Sequence, residues 1–497
     1  MKVMLIKPPL TLFQKDNQGF EGSEPLGLAY LAAYLLKNGH DVNILDAFIL
    51  GQKNITQDGE FFSHGLSNDA IAKNIKKFDP EIVGISSMFT LHSKGVHNVA
   101  QIVKKINPKI PVIVGGAHAS ALPNLVLNDN NIDILVKGEG ENTFLDIISH
   151  EESGKDLLNI PGTMVREGKK VKINPPREFI KDLDSIPFPA RHLLPMNLYL
   201  NDWYRTKMAM RPPRANLVSS RGCTGNCIFC SIHSIWRHTW RGRSAKNVVD
   251  EIEFLVKNYG VREIAFQDDN VSLNKERMME ICDEILERKL NIKWCTPNGI
   301  AIWTLDKELL DKMKKSGCYK LTFGIETGCP ITQKFIRKTQ INLNKAKEII
   351  KYCNKIGIWT HSAFIIGFPY ETQEQIEETV KFAIDSDLDM AAFFIATPYP
   401  ATDLFDVYMK EGLLPYSSQD IMQWTSTTGD AGTDTKYLTA EQINKIAKDG
   451  YKRFYTTSQR RFMNPLRILR KIHSIEDLRY ILHLALMSRG VIEGLTS

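Results

Sequence analysis

Two runs of alternating strand and helix patterns, separated by a proline-rich interval, constrain the fold of this chain more than any other feature. In the first run KVMLIKP reads as a short apolar strand, EPLGLAYLAAYLLKNGH has helical spacing with Gly39 near its stop, and HDVNILDA is strand-like. Helix NDAIAKNIKKFD, strand EIVGISS, helix LHSKGVHNVAQIVKKIN, strand PVIVGG, a helical ALPNLVLND and strand IDILVKGEG follow. Five strands separated by helices predict a doubly wound parallel sheet over residues 1–150. Ligands of such sheets sit beyond the carboxyl ends of the strands. Those ends carry Ser86, Ser87, Gly115, Gly116, Gly138, Glu139 and Gly140, mostly small residues that let backbone approach a ligand.

Residues 151–214 change character. Prolines recur in IPGTMV, INPPREF, SIPFPARHLLP and MRPPRAN without sustained helical spacing, which predicts a connecting segment between two domains. From Ala215 the alternation restarts with strand ANLVSS and runs through five more strand and helix steps to ATPYP. Six such steps over 215–405 predict a partial barrel of parallel strands, a (β/α)6 arrangement whose functional residues belong at the strand C-termini.

The loop after the first of these strands, RGCTGNCIFC, holds Cys223, Cys227 and Cys230 within eight residues, while the other five cysteines are scattered singly. The N-terminus MKVMLIKPPL has none of the marks of a secretion signal, so a reducing, cytoplasmic setting is expected and disulfides are not. Structural zinc sites close with four ligands, usually from paired C-x2-C units. Only one such unit exists here, although His233 or His238 offers a fourth donor. Three thiolates on a cubane iron–sulfur cluster leave one iron open to bind a further molecule.

RGCTGNCIFC resembles the C-x3-C-x2-C signature of radical S-adenosylmethionine (SAM) enzymes, with the aromatic Phe229 before the last cysteine. FQDDNVSLNKER, FGIETG, FIIGFPYETQEQIEET and ATPYPATDLF resemble successive strand ends of the subgroup with an N-terminal cobalamin-binding domain, and ISSMFT, VGGAHAS and KGEGE resemble that domain's own strand ends. The resemblance covers roughly residues 1–405. It implies a Rossmann-like cobalamin-binding domain followed by a radical SAM barrel, with a [4Fe–4S] cluster on the three cysteines and SAM on its open iron. It further implies a 5′-deoxyadenosyl radical, and either methylation of an unactivated carbon or ring formation as in the anaerobic magnesium-protoporphyrin ester cyclases. Contacts to SAM are implied for Gln267, Asp268, Glu326, Ile366 and Gly367, with Asp269 and Asn270 equally suited to capping the next helix. The arginine that often pairs with the SAM carboxylate is replaced by Asn298 in WCTPNG, leaving Arg337 or Lys338 as partners. Ala401 stands where a glycine is usual, which predicts ordinary backbone angles in that turn. No Asp-x-His-x-x-Gly sextet occurs, so cobalamin is expected base-off without a protein histidine, and His118 is expected as a loop or phosphate-tail contact.

Composition (43% hydrophobic, 24% charged) excludes fibrous and disordered classes, and the longest apolar stretches fall short of the roughly 20 residues that span a bilayer. Residues 452–489 hold nine Lys and Arg against Glu476 and Asp477, out of a net charge of only +6. This helical region, 406–497, reads either as a cap over the barrel mouth or as a basic amphipathic face meeting a membrane surface or an amphiphilic substrate. No RNA-reading module accompanies the charge, so no nucleic-acid partner is expected. The implied partners are a small or amphiphilic substrate and an electron donor such as flavodoxin or ferredoxin.

Overall fold

A computed structural model describes residues 1–13, 22–168, 170–201, 209–414, 432–462, 464–472 and 474–496. They fall into two compact units, one holding residues 1–201 and 231–237, the other 209–230, 238–414 and 432–496.

The first unit is built on strands β1 (Lys2–Lys7), β2 (Asp41–Asp46), β3 (Ile82–Ser86), β4 (Val112–Gly115) and β5 (Ile134–Val136), parallel in the order β2-β1-β3-β4-β5. Their runs of Val, Ile and Leu are buried on both faces, as helices covering both sides of a parallel sheet require. The expected helices form at Leu26–Lys37, Asn68–Phe78 and Ser93–Ile106. Ser67 caps the second by accepting from the Ala70 N–H. Within ALPNLVLND the helix is only Pro123–Leu127, and a separate short helix, Ala117–Ala121, ends just before it. Proline is favoured at a helix start and cannot continue the helix before it.

Part of the proline-rich stretch belongs to this sheet. Strands β6 (Thr163–Glu167) and β7 (Lys170–Ile173) extend it antiparallel beyond β5. Thr163, Met164 and Val165 are buried, but strands this short between prolines leave no readable alternation. A small antiparallel sheet of Leu10–Phe13, Ile55–Asp58 and Phe61–His64 was likewise not anticipated. Its hairpin turns at Gly59, where φ is +61°.

The second unit carries β8 (Arg214–Leu217), β9 (Glu263–Phe266), β10 (Lys293–Ile300), β11 (Cys318–Glu326), β12 (Trp359–Ile366) and β13 (Met390–Ile395), all parallel and paired in sequence order. This is the expected six-stranded partial barrel. Ser244, Asn274, Asp306, Asn342 and Thr372 each cap a connecting helix by accepting a backbone N–H three residues on. Asn274 therefore fills the capping role suggested for Asp269 or Asn270.

The C-terminal helices meet the barrel at the end of β12, where Ile443 lies against Gly367, along its open edge and at its far end. Helix Ala440–Phe462 lies along the open edge at β13, where the Tyr455 hydroxyl donates to the Ala391 carbonyl (3.0 Å), Ser458 to Asp389 (2.9 Å) and Arg461 to Leu388 (2.8 Å). Helix Ile475–Thr496 sends Tyr480 and Leu484 into an apolar cluster with Met210, Cys295, Tyr319 and Trp359. Tyr319 and Trp359 begin or nearly begin their strands, so this helix closes the end opposite the cysteine loop. The basic residues explain the placement. Arg453 pairs with Glu377, Arg467 with Asp387 and Asp389, and Lys471 with Asp389, all within the unit. These three residues hold the helices to the barrel. No helix among the described residues is long and apolar enough to cross a membrane.

Candidate functional site

Beyond β8 the chain forms a two-stranded ladder, Ser220–Gly222 with Trp240–Gly242, and Cys223 follows directly. The start of the loop is pinned by the end of β9. The buried Asp268 carboxylate accepts from the Ser219 N–H (2.9 Å), the Ser219 hydroxyl (2.6 Å) and the Ser220 hydroxyl (2.5 Å). Asp269 accepts from the Gly222 N–H at 3.0 Å. Burial raises both carboxyls, Asp269 to about 6. The Asn270 carbonyl takes the Trp240 indole N–H at 2.9 Å. All three residues thus hold the loop in place, and Asp268 has its oxygens engaged there. Gln267 lies one step back, its amide donating to Asn216 and its carbonyl accepting from Asn298 (both 2.9 Å). No sequence signal links two serines to an aspartate 48 or 49 positions away.

The three cysteines are partly exposed, unlike the five others, which are buried. Two of their sulfurs, those of Cys223 and Cys227, lie beside Gly225. A Cβ built there would sit 3.4 Å from Cys223 Sγ and 3.8 Å from Cys227 Sγ, and the Gly225 N–H donates to Cys223 Sγ at 3.4 Å. The Ile228 N–H donates to the Ile336 carbonyl, and the Ile228 carbonyl accepts from Leu404, tying the loop to two neighbours. Phe229 packs against Phe368 with ring centroids 6.3 Å apart. No group of three metal-ligating side chains among the described residues converges on a single ion. A cubane asks for something else, since each thiolate binds a different iron. The soft donor set and its side-chain-free approach at Gly225 fit such a cluster. His233 Nδ1 faces the Arg237 carbonyl at 3.0 Å, and His238 Nδ1 faces the Gly225 carbonyl of the cysteine loop at 3.1 Å.

Opposite the loop, Glu326 ends β11 at φ +67°, after a register shift against β12. Lys338 reaches it from the following loop, Nζ lying 2.8 Å from Glu326 Oε1 and 2.8 Å from the Gly324 carbonyl. Burial opposes the Lys338 charge, but Glu326 and the nearby Cys227 and Cys230 prevail and raise it above the ordinary lysine range. Burial also raises the Cys227 thiol, and Lys338 pulls it back. Arg337 pairs instead with Asp403.

Ile366 ends β12, its carbonyl accepting from the Ala396 N–H at 2.9 Å. Gly367 follows at φ +81°, and a Cβ there would meet Ile443 Cγ2 at 2.9 Å. The Gly367 and Phe368 N–H groups donate to the Glu371 carboxylate at 2.8 and 3.2 Å, and burial pushes that carboxyl up to about 7. Ala401 corrects the sequence expectation: its φ of +62° is left-handed, a conformation imposed on alanine where glycine would be relaxed.

In the first unit, Ser86 pairs with Gly115 at the ends of β3 and β4, and the Ser87 N–H donates to the Gly115 carbonyl at 2.7 Å. Gly116 has φ +115°, and a Cβ on it would sit 2.6 Å from the Ser87 carbonyl oxygen. His118 shares Nδ1 with the Thr90 hydroxyl at 2.9 Å, while its Nε2 and the Ser87 hydroxyl are buried without a hydrogen-bond partner. Burial, then His97, lowers the His118 imidazole to about 4, so it is neutral near pH 7. Two orphaned polar atoms beside a side-chain-free strand end fit a polar ligand. Gly138 (φ +76°) donates its N–H to Ser120. Glu139 is buried and accepts from the Ile180 N–H at 2.8 Å, a structural partner. Gly140 starts helix Glu141–Ser153, and a Cβ there meets nothing.

Residues 217–383 match the radical SAM superfamily, and residues 22–148 match the B12 binding domain. The chain is 37% identical over 457 residues to an uncharacterized methyltransferase of Pyrococcus horikoshii, covering 92% of each. It is 34% identical to the cytidylyl-2-hydroxyethylphosphonate methyltransferase of Streptomyces wedmorensis, over 83% of this chain and 82% of that one. It is 31% identical to an anaerobic magnesium-protoporphyrin IX monomethyl ester cyclase of Rubrivivax gelatinosus, over 79% and 69%. Its fold matches that of the radical SAM methyltransferase TsrM from Kitasatospora setae, with a TM-score of 0.69, full coverage of both chains and 14% identity.

Proposed function

This chain belongs to the cobalamin-dependent radical SAM enzymes, and from that premise we propose that it methylates an unactivated carbon of a small molecule. The observation that carries the choice of methylation is the near full-length similarity to two proteins named as methyltransferases. When bound, the cluster, SAM and cobalamin supply a 5′-deoxyadenosyl radical and a transferable methyl group.

The chain's own residues would divide the work as follows. Cys223, Cys227 and Cys230 hold the cluster, and Asp268 and Asp269 fix the loop that presents them. Glu326 has one oxygen on Lys338, leaving the other for the SAM ribose hydroxyls. Gly367 keeps a planar ring's approach free of a side chain. Ser87, Gly116 and His118 would hold cobalamin, the buried and unpartnered Ser87 hydroxyl and His118 Nε2 meeting polar groups of the corrinoid. The electron comes from a flavodoxin or ferredoxin.

The test is anaerobic incubation of reconstituted protein with methyl-deuterated SAM, a reductant, cobalamin and a metabolite extract. Cleavage of SAM with deuterated methyl appearing in a product is the expected result. Cleavage without transfer of label would favour the ring-forming reaction suggested by the cyclase relative. Absence of any cleavage would leave a carrier.

A further inference from the structure

We infer that Lys338 raises the reduction potential of the cluster held by Cys223, Cys227 and Cys230, an inference that rests on the function proposed above. Lys338 follows the helix Pro330–Phe335 and is 7% exposed, an uncommon position for a lysine. Its two hydrogen bonds, to the Gly324 carbonyl and Glu326, hold Nζ in one place. That place is beside the cysteine loop, with Nζ 5.9 Å from the centroid of Phe229, the residue between Ile228 and Cys230. The neighbouring Arg337, held at φ +61° and paired with Asp403, turns outward while Lys338 turns in.

One-electron reduction takes the cluster from [4Fe–4S]2+ to [4Fe–4S]1+, the electron arriving from an external donor and each step making the cluster and its thiolates more negative. A fixed cation nearby stabilises the more negative state, and charge around the sulfurs is one of the terms that sets cluster potential. Glu326, hydrogen-bonded to the same Nζ, carries the opposite charge and works against it.

The experiment is an EPR-monitored redox titration of reconstituted protein without SAM, comparing the wild type with Lys338→Met, Lys338→Arg and Glu326→Gln at matched iron content. Lys338→Met is expected to titrate at a more negative potential, Lys338→Arg near the wild type because it keeps the charge, and Glu326→Gln at a more positive potential. An unchanged potential in Lys338→Met, or equal shifts in the Met and Arg variants, overturns the inference. Where Lys338→Met fails to take up iron, Glu326→Gln decides: no upward shift overturns it. Wild-type protein that takes up no cluster would refute the functional reading itself, a result distinct from a cluster whose potential ignores Lys338.

Discussion

Replacing Gly367 with alanine should cost stability by two separable routes. At φ +81° an L-residue in the left-handed region loses about 1–2 kcal/mol. The new Cβ would also lie 2.9 Å from Ile443 Cγ2 and 3.4 Å from its Cδ1. Ile443 is 1% exposed and sits in the first turn of the helix on the barrel's open edge, so relief requires that helix to shift. Overpacking of this kind costs about 1–3 kcal/mol, for a total of about 2–5 kcal/mol. Ile443→Ala removes the obstructing atoms, so in that background Gly367→Ala should cost only the backbone share, about 1–2 kcal/mol. Urea unfolding of all four proteins, followed by tryptophan fluorescence and by hydrogen exchange over 440–462, closes the cycle. Equal costs of Gly367→Ala in the two backgrounds would refute the steric argument. A cost below about 0.5 kcal/mol in the wild type would refute the dihedral argument as well.

Three further outcomes are expected. Changing Cys223, Cys227 and Cys230 together to alanine should abolish iron uptake and the broad absorbance near ~400 nm of thiolate-bound clusters, as iron analysis and spectra would show. Ala401→Gly should stabilise the chain by about 1 kcal/mol, read as a raised denaturation midpoint, because glycine takes φ +62° without strain but has more freedom to lose. Glu371 carries a carboxyl raised to about 7 from an ordinary 4.5, so the folded chain keeps its proton where the unfolded chain has lost it. Its contribution is whole below pH 4.5 and falls away as pH rises to about 7, by about 3 kcal/mol. Stability measured across that range should fall less steeply in Glu371→Gln.

The alternation of strands and helices was readable because the parallel strands are mostly short runs rich in apolar residues between amphipathic helices. Such a pattern is local. The cysteine loop was readable for the same reason, as three residues of one chemistry at fixed spacing. The interactions that pin this loop were not, because Ser219 and Ser220 meet Asp268 only after the sheet has formed. Lys338 was visible as a cation near a motif, but its pairing with Glu326 depends on how a loop of the fold turns. Strands β6 and β7 were hidden by their length and by the prolines around them. The C-terminal charge was legible, yet its meaning lay in acidic partners such as Asp389, about 80 positions earlier. Ala401 shows the limit in reverse: residue type suggested an ordinary turn, and packing imposed a left-handed one.

The helix along β13 has a consequence for the order in which the protein is made. Synthesis delivers the sixth strand, Met390–Ile395, well before Ala440–Phe462, whose Tyr455, Ser458 and Arg461 occupy carbonyls on and beside it. During that interval the growing chain offers an unpaired strand edge, the surface on which neighbouring nascent chains pair and aggregate. Yield in a cell should therefore depend on how quickly the ribosome crosses the codons between the two, and a slow stretch there should cost folded protein even where the finished sequence is unchanged.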